Sequence, residues 1–216
     1  MASPKATKPT TVLFVRHGKT PTTGDILPGR TPGLHLSDAG VSQAEKAASR
    51  IAGLGPKKVT SVYASPMERT KETASPIAKA LGLQVRSNQG LLEADFGEWT
   101  GQKLSELRKL PEWSAVQGFP SGFRFPGGES FSEMQQRITN TIHTLVADHP
   151  GETIVAVSHA DPIKAVVAQA MGVHLDLFQR IVVGPTSVSA ILYGPSGPVV
   201  LGVNSMGDDL TQLTPS

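Results

Sequence analysis

Two histidines in this chain stand where an apolar run stops. Thr11-Val12-Leu13-Phe14-Val15 leads into Arg16-His17-Gly18, and Thr153-Ile154-Val155-Ala156-Val157 leads into Ser158-His159. Near neutral pH an imidazole can act as base, nucleophile or ligand. At His17 it is flanked by a guanidinium and by a glycine, a backbone without Cβ that lets a ligand come close. Open α/β sheets bind ligands at the carboxyl ends of their strands, so both histidines occupy positions from which side chains reach a site. A cation beside an imidazole at such an end suits an anion.

The elements that must carry these side chains alternate in period. After the opening strand, Val59 to Ala64, Leu83 to Arg86, Thr153 to Ser158 and Ser187 to Tyr193 read as strands. Between them lie stretches of helical spacing. Ser37 caps a helix to about Leu54 with Ala44, Ala47, Ala48, Ile51 and Leu54 on one stripe. A second helix starts at Pro66 and carries Ala74, Ile77, Ala78 and Leu81. Ser130-Phe131-Ser132-Glu133 is a capping box ahead of Met134, Ile138, Ile142 and Leu145. Asp161 reads as the N-cap of a helix that opens at Pro162 and runs through Met171. Parallel neighbours need crossovers, so the expected fold is α/β: a three-layer sandwich with a mainly parallel central sheet flanked by helices.

Residues 11–207 are expected to form a single domain, with flexible tails at 1–10 and 208–216. The segment at about 102–128, rich in Pro and Gly and holding Trp113, Phe119, Phe123 and Phe125, reads as a lid inserted over the site, its aromatics packing mainly on each other.

Composition narrows the classes. The 216 residues are 38% hydrophobic without a run long enough to span a membrane. The net charge of +2 is matched by Lys5 and Lys8 in the first ten residues, leaving a balanced body, and aromatics make up only 5%. Neither a basic face nor interleaved aromatics points to nucleic acid. Cysteine is absent, which removes disulfides and thiolate chemistry. The first ten residues have no apolar core of the kind a secretory signal needs, so a cytoplasmic protein is expected. The chain has no Gly-x-Ser-x-Gly elbow, no phosphate loop ending in Gly-Lys-Ser/Thr and no Gly-x-Gly-x-x-Gly. His35, His143, His149 and His174 lack metal-ligand spacing and read as surface or rim residues.

Taken together, Leu13-Phe14-Val15-Arg16-His17-Gly18, Gly29-Arg30, the segment from Leu36 to Ala44, Ser65-Pro66-Met67-Glu68-Arg69-Thr70-Lys71-Glu72-Thr73-Ala74, Leu92-Glu93 to Gly101, Gly127-Gly128-Glu129-Ser130 and Ser158-His159 resemble the histidine phosphatase superfamily, also called phosphoglycerate mutase-like. The resemblance covers nearly the whole chain. It implies that His17 is a nucleophile forming a phosphohistidine, that Glu93 is the general acid and then base, and that Arg16, Arg69 and His159 meet the phosphoryl oxygens. Arginine suits that task because its planar fork gives paired charge-assisted hydrogen bonds. Substrate contacts are expected from Arg16, Thr23, Arg30, Arg69, His159 and Ala160. Thr23 stands where many members have asparagine, so its hydroxyl replaces an amide donor. Lys19 stands where glutamate is common, and Asp161 is the alternative acid. Arg30 is expected to face the substrate rather than the transferring group.

The implied activity is that of a metal-independent phosphatase acting on a small phosphorylated metabolite, without a cofactor. A phosphomutase using the same phosphohistidine is the alternative, although the segment over the site offers only the scattered Lys109 and Arg124 where an adjacent arginine pair would read a glycerate carboxylate. A non-catalytic domain that binds a phosphorylated ligand is the third reading. Partners are expected to exclude nucleic acid and membranes, and a homodimer is left open.

Overall fold

A computed structural model of the protein describes residues 8–55, 57–207 and 209–213. Its strands are β1 (Thr10–Arg16), β2 (Val59–Ala64), β3 (Val85–Ser87), β4 (Thr153–Ser158), β5 (Val188–Gly194) and β6 (Gly197–Ser205). Its helices are α1 (Asp38–Ala52), α2 (Glu68–Leu81), α3 (Leu104–Leu107), α4 (Trp113–Gly118), α5 (Phe131–Asp148) and α6 (Ala160–Ala170). The strands form one sheet in the order β3-β2-β4-β1-β5-β6. Pairing is parallel from β3 through β1, and β5 and β6 add antiparallel. The mainly parallel sheet flanked by helices agrees with the sequence expectation; β6 was missed, because its half-buried face carries little apolar alternation.

Successive side chains of a strand face opposite ways, and β1 uses this to build two cores. Leu13 and Val15 face Ala48 and Ile51 of α1 and Ala74 and Ile77 of α2. Val12 and Phe14 face Ile138, Ile142 and Leu145 of α5 and Ile163 and Val166 of α6. A third cluster lies over one end: Leu107 packs with the rings of Phe96, Trp99, Phe123, Phe125, Phe131 and Phe178, several of which meet edge to face, as at Phe96 and Phe125 with ring centroids 4.8 Å apart. The expected lid is therefore a packed aromatic layer, with Phe119 left exposed at 58%.

Several boundaries move. Thr10, expected in the tail, is buried as the first residue of β1, and Leu210 and Leu213, expected in the other tail, pack into the first core. Residues 1–7, 208 and 214–216 of those tails lie outside the described residues. The helix expected from Pro66 starts at Glu68. α6 starts at Ala160 with His159 as its N-cap residue, so Asp161 is inside the first turn and not the cap. His149, expected at the surface, is buried: its Nδ1–H donates to Glu152 (2.7 Å) and its Nε2 accepts from the Tyr63 hydroxyl (2.9 Å).

The loop after β1 is pressed against the start of α1. Ser37 accepts from Gly40 N–H as the cap and donates to Lys19 O, and Lys19 N–H donates to Gln43. A Cβ at Gly40 would lie 2.0 Å from Lys19 O, and one at Gly18 would lie 2.6 Å from Gly40 O. Each glycine is the space the other backbone occupies. Gly40→Ala is expected to lower the melting temperature by about 4–8 °C, the size of an overpacking cost of ~2 kcal/mol in a chain of this length. Calorimetry checks this, and an unchanged melting temperature would mean that loop and helix can separate freely.

Candidate active site

β1 and β4 are parallel neighbours in register, with Arg16 opposite Ser158. The two strand ends are stitched together by His17 N–H donating to Ser158 O at 3.0 Å. That register brings together histidines more than a hundred residues apart in sequence, their ring centroids 5.3 Å apart. Helix α2 adds Arg69, and Thr73 of the same helix accepts from Gly18 N–H at 3.0 Å.

His17 is held in one tautomer. Its Nδ1 lies 2.8 Å from the carbonyl of Gly18, which can only accept, so Nδ1 carries the proton and Nε2 keeps its lone pair. Burial, reinforced by the charges of Arg69 and Arg16, lowers its pKa to about 3. The ring is therefore neutral across the physiological range.

His159 is fully buried and its pKa is driven well below the ordinary value by burial and then by Arg69. Arg69 Nη2 donates to its Nδ1 at 3.2 Å, which leaves the proton on Nε2, 2.9 Å from Ser65 Oγ. Arg69 Nη2 also donates to Gly29 O at 2.7 Å, and Arg16 Nη1 donates to Val183 O at 2.8 Å. Burial lowers the pKa of both guanidiniums, with Glu93 opposing. Arg16 Nε and Arg69 Nε and Nη1 are buried without a hydrogen-bond partner among the described residues. Buried cationic donors left unmet are costly, and an oxygen-rich anion is the group that relieves them.

A cavity of about 200 Å³ opens beside this cluster, lined by Arg16, His17, Thr23, Glu93, Ala160 and Asp161 among others. The structure thus brings Arg16, His17, Thr23, Glu93 and Ala160 to one wall, with Ala160 at the N-terminus of α6, where the helix dipole favours negative charge. Arg69 and His159 stand behind that wall, fully buried. Thr23 Oγ1 accepts from Thr20 N–H at 2.8 Å.

Glu93 is buried, and burial followed by the negative charge of Asp161 raises its pKa to about 7, against the pull of Ala94 N–H, Arg69 and Arg16. Asp161 itself pairs with Lys164 at 3.3 Å.

Arg30 does not line the cavity. Its Nε donates to the carbonyl of Glu93 at 2.9 Å and its Nη2 to Glu129 at 2.9 Å. Arg137, which sequence reasoning passed over, donates to the same Glu93 carbonyl at 3.2 Å, to Leu92 O at 2.9 Å and through Nε to Glu129 at 2.7 Å. Glu129 also accepts from Asp95 N–H at 3.1 Å. Burial would raise this carboxyl, but Arg137, Asp95 N–H and Arg30 hold it below the usual value. The Gly127-Gly128-Glu129 stretch was its only sequence signal; of the guanidinium partners, Arg30 lies far from it in sequence and Arg137 lies within α5, beyond the stretch. Glu129→Ala is expected to cost ~3 kcal/mol in urea unfolding, because it strands two partly buried guanidiniums. A loss below about 1 kcal/mol, the size of a surface pair, would mean that water replaces it readily.

The sequence model of the histidine phosphatase superfamily (branch 1) matches residues 12–206. A bifunctional protein of Mycobacterium tuberculosis is 32% identical over 201 residues, covering 92% of this chain, and the chain spans 55% of that protein's length. Phosphoserine phosphatase 1 of Hydrogenobacter thermophilus is 31% identical over 184 residues, 82% of this chain and 84% of the relative. The crystal structure of an Entamoeba histolytica phosphoserine phosphatase mutant in complex with phosphoserine has a TM-score of 0.82 at 25% identity, covering 92% of this chain and 98% of that one.

Proposed function

The chain belongs to branch 1 of the histidine phosphatase superfamily, and from that membership we propose that it hydrolyses a small phosphomonoester through a phosphohistidine on His17, with Glu93 as general acid and then base. The observation that carries this reading is the pairing of a neutral imidazole, its free lone pair fixed by the Gly18 carbonyl, with a buried carboxyl whose pKa lies at about 7 in the same cavity.

In the first half-reaction His17 Nε2 attacks phosphorus and the bond to the ester oxygen breaks. The departing alkoxide takes the proton of Glu93. In the second, water attacks the phosphohistidine, its proton passes to the Glu93 carboxylate, the P–N bond breaks and the imidazole lone pair is restored. The balance is ester plus water to alcohol plus phosphate. Charge on the equatorial oxygens is met by Arg16 and by the N-terminal amides of α6, with the positive charge of Arg69 acting from behind the cavity wall. This donor set is cationic and preorganised, the kind that stabilises a phosphoryl transition state without further reorganisation. Arg30, Arg137 and Glu129 hold the main chain at Glu93 and so fix the acid relative to His17.

His17→Ala is expected to abolish vanadate-sensitive phosphate release, by about 10³-fold or more. Full activity in that variant would remove the assignment, and primer-dependent interconversion of phosphoglycerates by the wild type would favour a mutase. Glu93→Gln is expected to lose about 10²–10⁴-fold with alkyl phosphates. With p-nitrophenyl phosphate, whose leaving group needs no proton, the same variant should keep its kcat/KM, which reports the first half-reaction, while loss of the base lowers its kcat.

The pH dependence has a definite sign. Glu93 donates only in its protonated form, which prevails below about 7 in the free enzyme. The kcat/KM for an alkyl phosphate should therefore fall as pH rises through about 7, while that for p-nitrophenyl phosphate should not. Identical profiles for the two esters would count against Glu93 as the acid.

A further inference from the structure

Beyond the phosphoryl end, the catalytic cavity changes character. Ile26, Leu27, Pro28, Phe96 and Leu104 make up most of its remaining lining, together with Thr20, Gly24 and the acidic Asp161. Among the described residues Arg16 is the one Lys or Arg side chain in the lining, and it stands beside His17 in sequence, where the phosphoryl group must sit. Lys103 and Arg108 line a neighbouring groove that shares Gly24, Ile26 and Leu104 with the cavity, and Asp25 stands among them. At about 200 Å³ the cavity falls below the size range of pockets that take drug-sized ligands.

Building on the phosphatase reading, we propose that this site selects phosphomonoesters of small, uncharged and largely apolar alcohols, and discriminates against esters whose alcohol carries a carboxylate. The physical reason is twofold. A carboxylate close to the ester oxygen would be desolvated against Ile26, Leu27, Phe96 and Leu104 without a counter-cation. It would also approach the Asp161 carboxylate, whose negative charge, paired with a Lys164 that lies outside the lining, repels it. Apolar carbons in the same place gain from leaving water. The selection rests on a repulsive element as much as an attractive one, which is how related sites with the same phosphate contacts come to differ in substrate. Phosphoserine, bound in the Entamoeba relative, carries such a carboxylate, so the inference separates this chain from that relative.

The test compares two isosteric esters: isopentyl phosphate, and the compound in which its terminal isopropyl group is replaced by a carboxylate. The wild-type kcat/KM is expected to favour isopentyl phosphate by on the order of 100-fold. Asp161→Asn should reduce that ratio about tenfold by removing the repulsion, and Leu104→Arg should reduce it further by supplying a cation. Replacing Lys103 and Arg108 together by alanine should leave the ratio unchanged, because their groove is not the one the alcohol enters. A wild-type ratio near or below one overturns the inference, as does a preference for the carboxylated ester that disappears in the Lys103/Arg108 double variant, or turnover of p-nitrophenyl phosphate with neither alkyl ester accepted. Absence of His17-dependent phosphate release from all three esters overturns the phosphatase reading, and this inference falls with it.

Discussion

Two guanidinium groups, those of half-buried Arg16 and fully buried Arg69, rest on carbonyl oxygens rather than on carboxylates, and the rest of the site follows from that constraint. A carbonyl satisfies a donor without cancelling its charge, so the pocket keeps a positive field in a poorly screened setting. That field, added to burial, keeps His17 and His159 neutral. It also opposes the rise in the Glu93 pKa that burial and Asp161 produce, so the carboxyl settles at about 7. A neutral imidazole, a carboxyl raised in pKa and two guanidiniums thus coexist through burial first and the charge of the two arginines second.

The second charged cluster has the opposite design. Glu129 joins Arg30 and Arg137 through direct bonds and cancels their charge, and both arginines then grip the main chain at Glu93. One network is left electrically unbalanced and the other is balanced. An unbalanced cradle binds anions, whereas a balanced clamp gives a fixed geometry, which is what a group that must meet a reacting atom requires. The aromatic layer around Phe96, Trp99, Phe123 and Phe125 supports this segment from the other side.

Both clusters depend on the stacking of strand ends. Because β4 lies between β2 and β1, the loops after all three open at one edge, and Ser65, His159 and His17 become neighbours. The mutual indentation of Gly18 and Gly40 then fixes how far the loop bearing His17 can move. Ile26, Leu27 and Leu104 line the cavity that opens beside this edge.

Local patterns in the chain determined much of this. Alternation marked β1, β2, β4 and β5, the 3.6-residue stripe and the Ser130 capping box marked α1 and α5, and the abrupt ends of two apolar runs singled out His17 and His159 as candidates. Such features depend on backbone geometry and on neighbours within one or two turns, so they are written within a few residues of each other. Tertiary structure alone decided that Arg30 clamps the main chain at Glu93 instead of lining the cavity, that Arg137 belongs to the site's support, that Asp161 sits inside a helix turn facing Glu93 and that Gly40 must lack a side chain. These outcomes join groups tens of residues apart, and which pairs form is settled by which charges burial leaves in need of a partner. No periodicity records that.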